Sequence, residues 1–430
     1  MVEDLIPSTF PSNGQDWFNY AAASNRLVQA VLHFEERLDD RRIKKAVRIS
    51  ADMEPILGCR FVVNEEKPFW QRLDDLDEID WCPVETAEDE EEAVNRFLSI
   101  SSDPIQGPQV MVKLICSVNL DVLCIKLNHS CCDGGGAKEY ILLLSTIYTA
   151  LGKGDSEFSL NTRGRRDQYR LFKELGIGNP QAHFNPELAG QQPTWSFPWN
   201  PRQPDIKYIR IAFRVIEGEK YQNLALYAKE RKVSVNDILL TAYFRSLFTM
   251  LNPDEGEPVD IMVTIDLRRY LPEGKTEAIC NLSGAIRIKI FRKAGESFED
   301  TLQRIHAEMN EMKTKNLGVN SAIICELLGG MKFSEAYEIY RSGREQSLAS
   351  GKFSPLLSNF GVISKAPLFF GQTQVKCAYL VSPALYAPGF MLGAGTYMDR
   401  LTLTVSYAEP ATSGTDVEEF MEILCGELTI

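Results

Sequence analysis

The sequence predicts an α/β (α+β) protein built as two lobes in one chain. Three observations lead there. The chain has 430 residues, more than one ordinary hydrophobic core accommodates. Each half alternates β-branched apolar runs with helix-period segments. Between the halves, residues 176–204 are rich in Pro, Gly, Asn and Gln, as a linker is. The expected partition is a first lobe over 1–175, the linker over 176–204 and a second lobe over 205–430. Trp195, Phe197 and Trp199 imply that part of the linker packs down.

The elements follow from local pattern. Arg26–Phe34 reads as a strand, and Asp39–Asp52 as a helix with Ile43, Ala46, Val47 and Ile49 on its apolar side. Residues 55–63 and 68–72 form a second strand region. The acidic run Glu88–Glu92 suits the first turn of a helix reaching Ile100, with Thr86 as its cap. Val110–Val118 and Val122–Leu127 read as strands, and the second runs through a glycine-rich turn into a helix around Tyr140–Leu144. In the second half, Ile206–Ile216 reads as a strand and Lys220–Arg231 as a helix. Ser234 caps a long helix over Val235–Leu251. Strands fit Val259–Ile265 and Gly284–Phe291, then a helix Phe298–Lys315. Strands Val375–Ser382 and Leu401–Tyr407 and a helix Asp416–Leu424 complete the chain.

Composition excludes several classes. A net charge of −13 argues against nucleic acid and against an anionic membrane surface. No apolar run is long enough to span a bilayer. The start, Met1-Val2-Glu3-Asp4-Leu5, is acidic and lacks the basic region of a secretory leader, so a cytoplasmic location is expected. The ten cysteines form no Cys-x-x-Cys pair and most lie in apolar segments, as reduced thiols acting as small hydrophobes do. Vicinal Cys131-Cys132 with one nearby histidine make a poor zinc set, so no metal is expected.

The chemistry concentrates in Asn128-His129-Ser130-Cys131-Cys132-Asp133-Gly134-Gly135-Gly136. A rigid strand delivers His129 beside a turn of bare backbone, with a carboxylate four residues on. A positioned base next to approachable backbone is what proton transfer needs.

This His-x-x-x-Asp-Gly spacing resembles the signature of the chloramphenicol-acetyltransferase-like acyltransferases, which include condensation domains, wax-ester synthases and alcohol acyltransferases. Further segments are similar to the same superfamily: Leu57 before Cys59-Arg60, Pro68-Phe69-Trp70, Gly107-Pro108, Asn236-Asp237, Asp266-Leu267-Arg268, Asn281-Leu282-Ser283-Gly284 and Ser358-Asn359-Phe360-Gly361. One departure is Asn128, where condensation domains usually carry a first histidine. The histidine used as base is retained as His129.

The resemblance implies two chloramphenicol-acetyltransferase-like lobes with a tunnel between them. It implies acyl transfer from a coenzyme A or phosphopantetheinyl carrier thioester to a hydroxyl or amine, with His129 as general base and no bound cofactor. Asp133 is then structural, pairing with an arginine, Arg268 first and Arg269 next, while Gly134 shapes the turn. Gly135, Ser358 and Asn359 are expected substrate contacts. Partners are a small-molecule acceptor, an acyl thioester and an acyl carrier protein. The basic tract Arg163–Arg170 offers a surface to the donor's phosphates or to an acidic carrier, or is simply solvated. The alternatives are a stand-alone condensation enzyme with two carrier-bound substrates and a non-catalytic binding protein of the same fold.

Overall fold

The computed structural model describes residues 6–429 except 119, 156, 204, 205 and 315. Met1–Leu5, Pro204 at the end of the predicted linker and Lys315 at the end of the predicted helix lie outside the described residues.

The first half runs β1 (Thr9–Pro11), α1 (Gly14–Ala21), β2 (Leu27–Phe34), α2 (Asp40–Met53), β3 (Cys59–Val62), β4 (Phe69–Arg72), β5 (Val84–Thr86), α3 (Glu90–Ser99), β6 (Val110–Cys116), β7 (Asp121–Asn128) and α4 (Gly134–Gly152). All eight residues of β7 are buried, as in a central strand, Lys126 within its apolar run included. Two local expectations change. Asp89, not Thr86, caps α3, because Thr86 is the last residue of β5. The glycine-rich segment is not a turn before α4; Asp133 is its N-cap and Gly134–Gly136 form its first turn.

The second half holds α5 (Tyr169–Glu174), α6 (Pro186–Ala189), β8 (Ile206–Glu217), α7 (Glu219–Arg231), α8 (Val235–Leu251), β9 (Pro258–Asp266), β10 (Ser283–Phe291), α9 (Phe298–Lys313), α10 (Val319–Gly330) and α11 (Phe333–Ser350). It ends with β11 (Leu356–Val362), β12 (Phe369–Phe370), β13 (Thr373–Val381), β14 (Met391–Tyr397), β15 (Arg400–Pro410) and α12 (Gly414–Glu427). Ser234 caps α8 in a reciprocal capping box with Asp237. Within the predicted linker, Phe197 is buried and stacks on Phe390 at 3.6 Å.

Two six-stranded sheets carry the architecture, in the orders β12-β13-β2-β7-β6-β5 and β10-β9-β11-β14-β15-β8, beside a small β1-β4-β3 sheet. The first large sheet takes β12 and β13 from late in the chain, with β13 antiparallel to β2. The second lobe therefore does not run unbroken over 205–430: residues 369–381 complete the first sheet. A crossing in the same sense is made by α11, whose Phe333 and Ala336 enter the first core. A second core lies around α8, β9, β14, β15 and α12.

The contact between α1 and α10 ties the halves together. Gly14 opens α1 directly against the Cys325 carbonyl of α10, and an added Cβ would overlap that oxygen. Gly14→Ala is therefore expected to lower stability by about 1–3 kcal/mol, the usual cost of overpacking a tight contact. Urea unfolding checks this, and an unchanged midpoint would contradict so close an approach.

Candidate functional site

Strand β7 ends at Asn128, and the backbone then turns sharply. The His129 amide donates to the Arg26 carbonyl (2.8 Å), one step beyond the Leu27–Asn128 pair of the β2–β7 ladder. The Cys131 amide closes the turn on the Asn128 carbonyl (3.0 Å). The His129 ring is half-buried, and its Nδ1 lies 2.9 Å from the Cys132 carbonyl oxygen. A carbonyl can only accept, so this contact assigns the proton to Nδ1 and leaves Nε2 with its lone pair. Burial pushes the imidazole below its ordinary value, while Asp133 and the Cys132 carbonyl pull the other way; the net direction is down. His129 is thus a neutral imidazole at neutral pH.

Asp133 turns away from this ring. Its carboxylate accepts from the Gly136 amide at the helix start (2.8 Å) and from the Leu282 amide (2.7 Å), and it pairs with Arg268 at 2.9 Å. Both side chains of the pair are almost fully buried. Arg268 is fully engaged: it also reaches Glu139 (3.2 Å), Asp266 (3.3 Å) and the Cys280 carbonyl (3.0 Å). Arg269 is exposed and lies over the Tyr270 ring instead.

The glycines make room for this network. An added Cβ on Gly135 would collide with the Arg268 guanidinium, and one on Gly134 with the Phe360 ring. The irregularity in β11 between Asn359 and Val362, with Gly361 at φ 66°, breaks the strand where Phe360 meets α4. Each glycine in a helix costs about 1 kcal/mol relative to alanine, so the sequence tolerates three for packing reasons. The openness expected at Gly135 for substrate is therefore filled largely by Arg268.

A second buried network, not read from the sequence, supports the turn from below. Asp16, fully buried, accepts from both arms of Arg166 (3.1 and 3.2 Å) and from the Trp70 indole (3.0 Å). Arg166 also donates to the Cys131 carbonyl (2.8 Å), and Asn281 donates to the carbonyls of His129 and Ser130 (3.0 Å each). The basic tract is thus largely committed: Arg166 points inward, Arg165 pairs with Asp167, and Arg170 lies 3.9 Å from Glu277. Its use as an open surface for donor phosphates is not what the side chains offer. The Asn13–Asp16 capping box of α1 is the one local signal that could have pointed to Asp16.

A narrow cavity of about 80 Å³ lies at the seam between the two large sheets. His129, Gly134, Gly135 and Lys138 line it from one side, and Thr264, Ser283, Ser358 and Asn359 from the other. Ser358 meets the Thr264 hydroxyl at 3.3 Å. Asn359 is tied to Asn236 (3.2 Å) and the Gly361 amide (2.9 Å). Lys138, which the sequence reading missed, donates to the Phe360 carbonyl at 2.8 Å. The cysteines beside His129 are ill suited to nucleophilic attack, since burial pushes the Cys131 thiol up to about 12 and the Cys132 thiol well above its ordinary value. Among the described residues no group of three or more His, Cys, Asp or Glu is placed to hold a metal ion, and no helix is long and apolar enough to cross a membrane.

Comparison with known proteins places the chain in a family. The condensation-domain family model matches residues 19–254, more than half of the chain. Three solved structures illustrate the shared fold. Polyketide synthase associated protein 5 from Mycobacterium tuberculosis has a TM-score of 0.67 at 14% identity, over 98% of this chain and 97% of that one. The first condensation domain of the CDA synthetase gives 0.69 at 13%, over 97% and 95%. The TRI3 trichothecene 15-O-acetyltransferase from Fusarium sporotrichioides gives 0.74 at 10%, over 98% and 94%. No curated protein sequence matches the chain.

The Asp133–Arg268 pair generates a stability prediction. Burial alone would raise the Asp133 carboxyl, but the Arg268 charge and the two amide donors carry it below the ordinary carboxylate value. A depressed carboxyl contributes stability above its unfolded value, and that contribution fades as pH falls through the folded value. Asp133→Asn should therefore cost about 3–5 kcal/mol at neutral pH, as for a buried pair broken from one side. The gap to wild type should shrink below about pH 4. Urea titrations at several pH values read both effects; a gap that stays constant into acid would contradict the ionised pair.

Proposed function

Because the chain belongs to the condensation-domain family, we propose that it is an acyltransferase. It moves an acyl group from a coenzyme A or carrier-bound phosphopantetheinyl thioester to a hydroxyl or amine. The single observation carrying this reading is the committed Nδ1 of His129, which leaves Nε2 as a free base at a cavity shared by both sheets. A base presented at a seam is reachable by two substrates at once.

The chemistry then runs without a covalent enzyme intermediate. The acceptor attacks the thioester carbonyl while Nε2 takes its proton. The tetrahedral intermediate collapses, the carbon–sulfur bond breaks, and the imidazolium returns the proton to the departing thiolate. The Cys132 carbonyl holds the ring orientation through both transfers. Ser358, whose hydroxyl faces the cavity beside Thr264, is the group on hand to donate to the developing oxyanion. Asn359 serves this less well, since its amide is tied to Asn236 and Gly361. Donor and acceptor enter by opposite mouths of a tunnel through the seam, and the enzyme acts in the cytoplasm. The family match favours a carrier-bound donor as the second reading, in which an acyl carrier protein docks at the donor mouth.

The test pairs activity with folding. His129→Ala should retain the wild-type unfolding midpoint while thiol release from an acyl-thioester in the presence of acceptor falls by roughly two to four orders of magnitude. Initial-rate plots with both substrates varied should intersect, as a ternary complex requires. Near-normal turnover in the folded variant, or parallel plots with an acylated cysteine, would refute the proposal.

A further inference from the structure

Arg26 stands out as a cation without a counterion beside the base. Its peptide is hydrogen-bonded directly to that of His129. Yet among the described residues no carboxylate lies within ion-pairing distance of its guanidinium. Its Nε is buried with no hydrogen-bond partner, and its one described contact is the face of the Tyr20 ring, 5.1 Å to the centroid. Asp103 acts on Tyr20 but forms no ion pair with Arg26; it is turned to the Ile105 amide. Arg26 is half-buried, and the N–H it does withdraw from water, at Nε, is left unpaired at a cost, although on a chain of net charge −13 an acidic partner would be easy to supply.

The backbone here is also held out of its preferred region. Arg26 has φ 53°, a left-handed value that costs a non-glycine residue about 1–3 kcal/mol and persists only where the surroundings enforce it. The enforcing contacts are visible. The Asn25 amide donates to the Ala384 carbonyl (3.0 Å), and the Asn25 side-chain oxygen accepts from the Ala384 amide (2.9 Å). The Tyr386 amide donates to the Ala23 carbonyl (2.8 Å), and Arg344 of α11 donates to the Tyr386 carbonyl (3.2 Å) and to that of Ala387. The loop so fixed supplies Pro383 to the seam cavity, and Val28, two residues past Arg26, lines the same cavity. The Arg26 charge is felt by Tyr386, whose phenol burial pushes up and Arg26 pulls down. Arg26 therefore stands in a frame of Tyr20, Tyr386 and the Pro383 loop at the edge of the site.

We infer that Arg26 is a specificity residue that binds a carboxylate on the acceptor. The inference rests on the acyltransferase reading for its substrate but not for its binding. A guanidinium on a flat aromatic face is a carboxylate and phosphate receptor. Reach separates the two. The phosphate of a coenzyme A or carrier thioester is set off from the reacting carbon by the whole pantetheine arm, whereas the Arg26 peptide is bonded to that of His129 and Val28, two residues on, lines the cavity. The anion must then belong to the small substrate whose nucleophile His129 deprotonates: a hydroxy or amino acid, with its carboxylate on Arg26 and its hydroxyl or amine toward Nε2.

Calorimetric titration of the full chain with 3-phenyllactate and with its amide tests this directly. Wild type should bind the acid about tenfold or more tighter than the amide, the scale of a charge-assisted contact. Arg26→Gln should abolish that preference, and Arg26→Lys should keep part of it. His129→Ala should keep all of it, since the preference needs no base. The two readings therefore fail separately: normal turnover in His129→Ala refutes the base alone, and an acid preference that is absent or independent of Arg26 refutes the carboxylate site alone. Loss of preference in His129→Ala but not in Arg26→Gln would assign the anion to the imidazole and overturn the inference.

Discussion

The buried pair of Asp133 and Arg268 is the constraint on which the site depends. It joins the N-cap of α4, downstream of β7, to the segment after β9, so one ion pair links the chain beyond one strand of each large sheet. Its surroundings are built to keep it whole. Asp133 caps a helix and accepts from Leu282; Arg268 distributes its remaining donors over Glu139, Asp266 and a carbonyl. Two desolvated charges whose nitrogens and oxygens all have partners tolerate no loss on either side. The seam that holds the cavity is thereby fixed in width and register.

From that pair the position of His129 follows. Asp133 is four residues downstream, and holding it at the helix start holds the turn Ser130–Cys132, whose last carbonyl receives Nδ1. The carboxylate thus acts on the His129 imidazole through its charge and through backbone geometry rather than by touching it. Asp16, Arg166 and Asn281 clamp the carbonyls of the same turn from beneath. Gly135 belongs to this arrangement too, because any side chain there would displace Arg268.

Much of this was legible locally. The apolar run of β7, the His-x-x-x-Asp-Gly spacing and the Ser234 cap are carried by adjacent residues, whereas the Asp133–Arg268 pairing was implied only by the family resemblance. What could not be read depended on distant partners. Residues 373–381 have the pattern of a strand in either sheet, and only their pairing with β2 decides which. Arg166 sits in a tract of four arginines, and nothing in that tract says which one turns inward. Helix α11 buries only Phe333 and Ala336, so its apolar stripe is too thin to show against a polar background. α10 ends in two glycines, one packed on Gly14, which blurs its end. Glycines at 134–136 look like a turn, because the cost of helical glycine is offset only by the Arg268, Phe360 and Cys132 atoms they admit.

His129 is held with its Nδ1 on the Cys132 carbonyl and its ring at the cavity, an arrangement that fixes it as a neutral Nδ1–H imidazole. Nitrogen-15 NMR of histidine-labelled protein measures that state without substrate. Comparison with His129→Ala assigns the signal among the four histidines. The account predicts a protonated Nδ1 and a bare, pyridine-like Nε2 at pH 7, with a titration midpoint below the ordinary imidazole value near 6.5. A proton on Nε2 at neutral pH, or a midpoint above that value, would contradict it.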